Sequence, residues 1–80
     1  MRTRELARAD RRVLWHPFTQ QQGWCEEEPL IIERAHGCTL VDTEGNAYLD
    51  GVSSLWCNVH GHGHSAIDAA VREQLERVAH

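Results

Sequence analysis

The stretch from Tyr48 to His64, Tyr-Leu-Asp-Gly-Val-Ser-Ser-Leu-Trp-Cys-Asn-Val-His-Gly-His-Gly-His, limits what this chain can fold into. It holds three of the six glycines and three of the six histidines, a mixture that a packed core alone would not call for. Everything before it reads as a lead-in, and everything after it as one helix. A tryptophan, a thiol, two hydroxyls, an amide and imidazoles beside permissive glycine backbone suit a segment that lines a polar-rimmed pocket. We read 51–64 as a pocket loop.

Upstream, Leu6, Ala9, Val13 and Leu14 recur at helical spacing on a charged background, which predicts a short surface helix over 3–14. His16-Pro17 stops it, because the residue before proline is pushed out of the α region. Trp15 to Gln20 follows as an extended aromatic arm, expected to pin the N-terminal part to the body or to present the Phe18 ring to a ligand. Gln20 to Glu28 reads as a solvated loop, so 1–29 is arm and loop. Leu30–Ala35, Cys38–Asp42 and Ala47–Asp50 read as three strands of an antiparallel meander over 30–50. Asp42-Thr43-Glu44-Gly45-Asn46 suits a type I turn whose glycine takes positive φ, joining the second and third strands as a hairpin.

Downstream, 65–80 reads as one helix. Ser65 is the expected N-cap, with Asp68 favouring the first turn. Ile67, Ala70, Val71, Leu75 and Val78 form its apolar face, and Asp68/Arg72 and Glu73/Arg77 are i,i+4 pairs. One helix over a three-stranded meander encloses little core, so the chain reads as an N-terminal segment of a larger protein.

Net charge −4 and pI near 5.8 leave no footprint for nucleic acid or an anionic membrane. No apolar run approaches the roughly 20 residues that span a bilayer. Cys25, Cys38 and Cys57 are odd in number and unrelated in spacing, which points to reduced thiols and a cytoplasmic protein. All eight basic residues are arginine, so the chain has no lysine for Schiff-base chemistry.

Two chemistries have candidate residues in the pocket loop. Cys57, His60, His62 and His64 offer tetrahedral metal ligands, but alternate residues of a strand lie about 6–7 Å apart and cannot meet one ion without a kink. Ser53 and Ser54 are hydroxyls outside any Gly-x-Ser-x-Gly elbow. The expectation is a loop of hydrogen-bonding histidines, with Trp56 as pocket wall and no metal.

Four segments together carry a resemblance: Leu14-Trp15-His16-Pro17-Phe18-Thr19-Gln20, Asp42 through Gly51, Ser53-Ser54-Leu55-Trp56-Cys57-Asn58-Val59-His60-Gly61-His62, and Val78-Ala79-His80. Between residues 13 and 80 the chain resembles the N-terminal part of the class III aminotransferases, and in the first and third segments their biotin-pathway members. The resemblance implies a fold-type I, α/β, pyridoxal-phosphate enzyme, homodimeric, with its cofactor held by downstream residues. The implied reaction passes an amino group from S-adenosylmethionine to 8-amino-7-oxononanoate, giving 7,8-diaminononanoate. It implies substrate contact at Phe18, Leu55 and Trp56, and no catalytic or cofactor-binding residue within this chain, which alone is expected to be inactive. Some members carry tyrosine at the position of Phe18 and tryptophan at that of Leu55. Here one hydroxyl and one ring are missing where the amino donor is selected.

Overall fold

The meander forms where β-branched residues and the Asp-x-x-Gly-Asn turn call for it. A computed structural model describes residues 2–80; Met1, with which the expected arm begins, lies outside them. Strands β1 (Ile32–His36), β2 (Thr39–Asp42) and β3 (Ala47–Leu49) make one antiparallel sheet in the order β1-β2-β3. Ala35 faces Leu40, and Leu40 faces Tyr48, with a β-bulge between Ile32 and Arg34; the first strand begins at Ile32, two residues later than expected.

Asp42 builds the β2–β3 turn. Its Oδ1 accepts the backbone N–H groups of Glu44 and Asn46, both at 2.9 Å, while Oδ2 accepts the Tyr48 hydroxyl at 2.9 Å and the Asn46 amide at 3.1 Å. Aspartate can mimic a backbone turn in this way, and Gly45 takes the positive φ of +86° that closes it. Burial opposes the Asp42 charge, but the hydrogen bonds from Asn46, Tyr48 and Glu44 outweigh it and lower its pKa. The same contact raises the pKa of the Tyr48 phenol.

Helix α1 (Arg2–Val13) carries Glu5 in its first turn and Arg11 and Arg12 in its last, each matched to the helix dipole. It is tied to the meander by the Arg2–Glu33 ion pair and by the Thr3 hydroxyl donating to Thr43 Oγ1 at 2.8 Å.

Two expectations about the arm are corrected. Gln20–Glu28 is not all loop: Gln21–Glu26 forms helix α2, capped by the Gln20 side chain, which accepts the Gly23 N–H at 2.6 Å. The rings of the aromatic arm do not pin it either, since Trp15 is 87% exposed and Phe18 fully so. Trp24 does the pinning. Its indole N–H donates to Asp10 Oδ2 at 2.7 Å, and its ring sits 4.3 Å from that of His16, whose Nε2 lies 2.7 Å from Asp10 Oδ1. An exposed tryptophan at Trp15 satisfies nothing, whereas Trp24 has both a polar partner and a ring to lean on.

Helix α4 (Ser65–Leu75) begins one residue earlier in its capping than expected. His64, not Ser65, is the N-cap: its backbone is extended, and its Nδ1 accepts the Ile67 N–H at 3.5 Å. Ser65 is already helical and cannot take that place. The helix ends at Leu75, so Val78 lies past its apolar face. Arg77 pairs with Glu73 at 2.9 Å, while Asp68 and Arg72 form no ion pair among the described residues.

Between β3 and α4 the chain makes a short helical turn, α3 (Ser53–Trp56), and then crosses back to the sheet. Gly37 and His62 exchange backbone hydrogen bonds of 2.8 and 2.9 Å. A Cβ at Gly61 would stand 3.2 Å from the Gly37 Cα, and Gly61 itself has φ +78°, so glycine is needed for this approach.

Candidate functional site

Asp50 closes strand β3 and faces the loop that follows. Its backbone N–H donates to Cys38 O at 2.8 Å, which fixes it to the sheet. Its carboxylate, 5% exposed, gathers three donors: Ser54 N at 3.0 Å, Ser54 Oγ at 2.7 Å and His62 Nε2 at 2.7 Å. Hydrogen bonding from Ser54, and then from His62, favours the ionised form and brings the Asp50 pKa down to about 2.

The trio resembles a serine–histidine–aspartate relay in composition only. A relay needs the carboxylate on one imidazole nitrogen and the hydroxyl on the other. Here His62 Nε2 faces both Asp50 at 2.7 Å and Ser54 Oγ at 3.1 Å, and the Ser54 hydroxyl spends its proton on Asp50. The arrangement is a clamp, with no activated nucleophile.

What it clamps is unusual backbone. Ser53, Ser54, Leu55 and Trp56 have φ of 52°, 44°, 68° and 69°, four consecutive non-glycine residues in the left-handed region. Trp56 N–H donates to Val52 O at 2.9 Å, and Cys57 N–H donates to Ser53 O at 3.1 Å, so α3 is one turn of left-handed helix. The left-handed form costs about 1–2 kcal/mol per residue, roughly 4–8 kcal/mol over the turn. Strain of this kind persists only where surrounding contacts hold it, and it gathers at functional sites. Leu55 and Trp56, 65% and 82% exposed, sit next to each other on this turn.

A cleft of about 380 Å³ lies beside this turn, between the glycine–histidine loop and the start of α4, lined by Cys57, Asn58, His60, His64, Ile67 and Asp68 among others. His60 and His64 meet edge to face with centroids 5.8 Å apart, while His62 is engaged by Asp50. The alternative metal set of Cys57 and the three histidines is thus divided, and no cluster of three or more metal-type ligands occurs among the described residues.

Of the expected substrate-facing residues, Leu55 and Trp56 sit together on the left-handed turn. Phe18 also has a left-handed backbone, φ 52°, but it belongs to the arm, and no aromatic pairing joins it to Trp56 among the described residues. Asp50 was legible only as part of Tyr-Leu-Asp-Gly; the two serines four residues on were the one signal of its partner. Nothing in Ser-Ser-Leu-Trp marks four residues of positive φ.

The profile of the class III aminotransferases matches residues 21–80, and the chain belongs to that family, as the motifs led us to expect. Among curated relatives, the adenosylmethionine-8-amino-7-oxononanoate aminotransferase of Nitratidesulfovibrio vulgaris is 60% identical over 79 residues, covering 99% of this chain and 15% of the relative. Its counterpart in Aquifex aeolicus is 52% identical over 75 residues, covering 94% of this chain and 17% of the relative.

Solved structures agree. The adenosylmethionine-8-amino-7-oxononanoate aminotransferase of Methanocaldococcus jannaschii superposes with a TM-score of 0.84 at 43% identity, over 94% of this chain and 17% of that one. An (S)-enantioselective omega-transaminase from Thermomicrobium roseum gives 0.85 at 40% identity, over 94% and 17%. The helices and three-stranded antiparallel sheet are therefore part of a transaminase fold. The chain spans only 15–17% of the length of the relatives it matches.

Proposed function

We propose that this chain is the substrate-facing N-terminal segment of a pyridoxal-phosphate aminotransferase of biotin biosynthesis. The reaction passes an amino group from S-adenosylmethionine to 8-amino-7-oxononanoate, giving 7,8-diaminononanoate, in a cytoplasmic homodimer. The observation that carries this reading is the left-handed turn, which sets Leu55 and Trp56 side by side on strained backbone of the kind that gathers at functional sites. An aliphatic acceptor chain with polar ends suits that pair and the polar loop behind it. Phe18 supplies a further ring from the arm. The identity to relatives that bear this name supports the choice of substrate over that of other transaminases. No described helix is long and apolar enough to cross a membrane.

The cofactor needs a lysine amine, and every basic side chain of this sequence is arginine. The residues of this chain do not fit pyridoxal phosphate by themselves. What they offer is orientation and an apolar wall, while the cofactor supplies the electron sink when bound elsewhere in the whole protein.

Trp56→Ala in the whole protein tests the assignment. A tryptophan buries roughly 150–250 Å² on contact. Its loss should lower kcat/KM for 8-amino-7-oxononanoate at least about tenfold, ~1.4 kcal/mol, with melting temperature and cofactor absorbance unchanged. Unaltered kcat/KM in a folded, cofactor-loaded variant removes Trp56 from the substrate site. Lost folding and lost cofactor together make it a core residue instead.

A further inference from the structure

We propose that Asp50 is a positioning residue, whose carboxylate holds Ser53–Trp56 in the left-handed turn through Ser54 and His62 and so sets the direction of Leu55 and Trp56. The proposal rests on the reading of Leu55 and Trp56 as substrate-facing.

Four non-glycine residues in the left-handed region relax toward right-handed or extended conformations unless contacts forbid it. The turn's own hydrogen bonds, from Trp56, Cys57 and Asn58 back to Val52 and Ser53, are equally available to a right-handed turn and do not choose the hand. The choice must come from outside the turn. Among the described residues, the side-chain hydrogen bonds that reach it are those on Ser54: Asp50 takes both its N–H, at 3.0 Å, and its hydroxyl, at 2.7 Å, and His62 Nε2 stands 3.1 Å from that hydroxyl. Gripping one residue by backbone and side chain at once fixes its φ as well as its place.

A clamp works only if its jaws are fixed, and both are. Asp50 is bonded to Cys38 of the meander through its own N–H. His62 is bonded to Gly37 in both directions, at the opposite end of β2 from the Asp42 turn. Asp50 and His62 then close on each other at 2.7 Å. The left-handed turn is thus referred to the sheet by two independent strands of backbone, and Leu55 and Trp56 inherit that reference. Ser53, by contrast, has left-handed φ with no hydrogen bond from its hydroxyl among the described residues.

That asymmetry supplies the test. Glycine accepts left-handed φ without penalty, so Ser53→Gly lowers the strain that Asp50 has to oppose while touching neither the clamp nor the substrate-facing side chains. In the whole protein, hydrogen exchange of the segment 52–58 and steady-state kinetics are measured for Asp50→Ala and for Asp50→Ala combined with Ser53→Gly. Asp50→Ala should speed exchange of that segment at least about tenfold, with exchange in the meander strands unchanged. It should raise KM for the acceptor about fivefold or more while kcat falls less than about threefold. Ser53→Gly should restore most of both losses, which it would not do for a residue that merely supports folding or carries out chemistry.

Should Asp50→Ala fail to fold, Ser54→Ala carries the same measurements, since it removes the 2.7 Å bond and leaves the carboxylate on His62. Unchanged exchange in 52–58, or no rescue by Ser53→Gly, overturns the clamp whatever the kinetics do. Faster exchange with rescue but an unchanged KM supports the clamp and overturns the reading of Leu55 and Trp56 as substrate-facing.

Discussion

Asp50 and Asp42 sit eight positions apart and solve the same physical problem in different ways. Each turns an enclosed carboxylate into an organiser of the backbone that follows, Asp42 by a local turn and Asp50 by a contact with His62 across the loop. The Asp50 pKa is depressed from 3.8 to about 2, first by Ser54 and then by His62. A depressed carboxylate contributes stability that is present above its unfolded pKa and is lost as pH falls through its folded one. Order in segment 52–58 should therefore hold at pH 5 and decline between 3.8 and about 2. Exchange of that segment, corrected for intrinsic rate, measures this, and Asp50→Asn should flatten the profile. A loss of protection already complete at pH 5 would contradict it. Of these residues the sequence displayed Asp42 openly, because its turn partners lie within four positions. The Asp50–His62 contact spans twelve positions and depends on where a glycine loop returns, which no local pattern records.

The elements divide along the same line. The meander was legible from β-branched runs and one turn, and α4 from its period, because both obey local rules. Helix α2 was not. Its six residues, Gln-Gln-Gly-Trp-Cys-Glu, contain a glycine and show no amphipathic period. It exists because Trp24 docks on Asp10 and His16 of the preceding elements. The Asp10 pKa is lowered chiefly by that indole donor, against the opposing effect of burial. Trp24→Phe keeps a ring over His16 and removes the donor. It should therefore release α2, with exchange in Gln21–Glu26 accelerated several-fold and the meander unaffected. Unchanged protection of α2 would show that the ring alone holds it. The N-cap of α4 lies one residue before the expected Ser65 for a related reason: His64 has no strong capping preference in isolation, so its role as cap leaves no local sequence signal.

As a whole molecule the chain is all scaffold and little core. Ala7 is the one buried apolar residue among those described, and Val13, Leu14, Leu30, Leu49, Val52 and Val59 stand exposed alongside Leu55 and Trp56. Its radius of gyration is 15.2 Å, against about 12 Å for a compact chain of this length. Residues 1–80 taken alone should accordingly melt without a sharp transition by calorimetry; a cooperative unfolding step in the monomer would contradict this. A chimera tests most directly whether this segment carries the substrate-facing turn of a biotin-pathway aminotransferase. Residues 2–80 replace the part of the Nitratidesulfovibrio vulgaris relative that they match at 60% identity. Amino transfer to 8-amino-7-oxononanoate is then read as 7,8-diaminononanoate formed. The chimera's kcat/KM should lie within about tenfold of the parent enzyme's, and adding Trp56→Ala should lower it by at least about a further tenfold. A chimera that folds as the parent does yet forms no 7,8-diaminononanoate would contradict it.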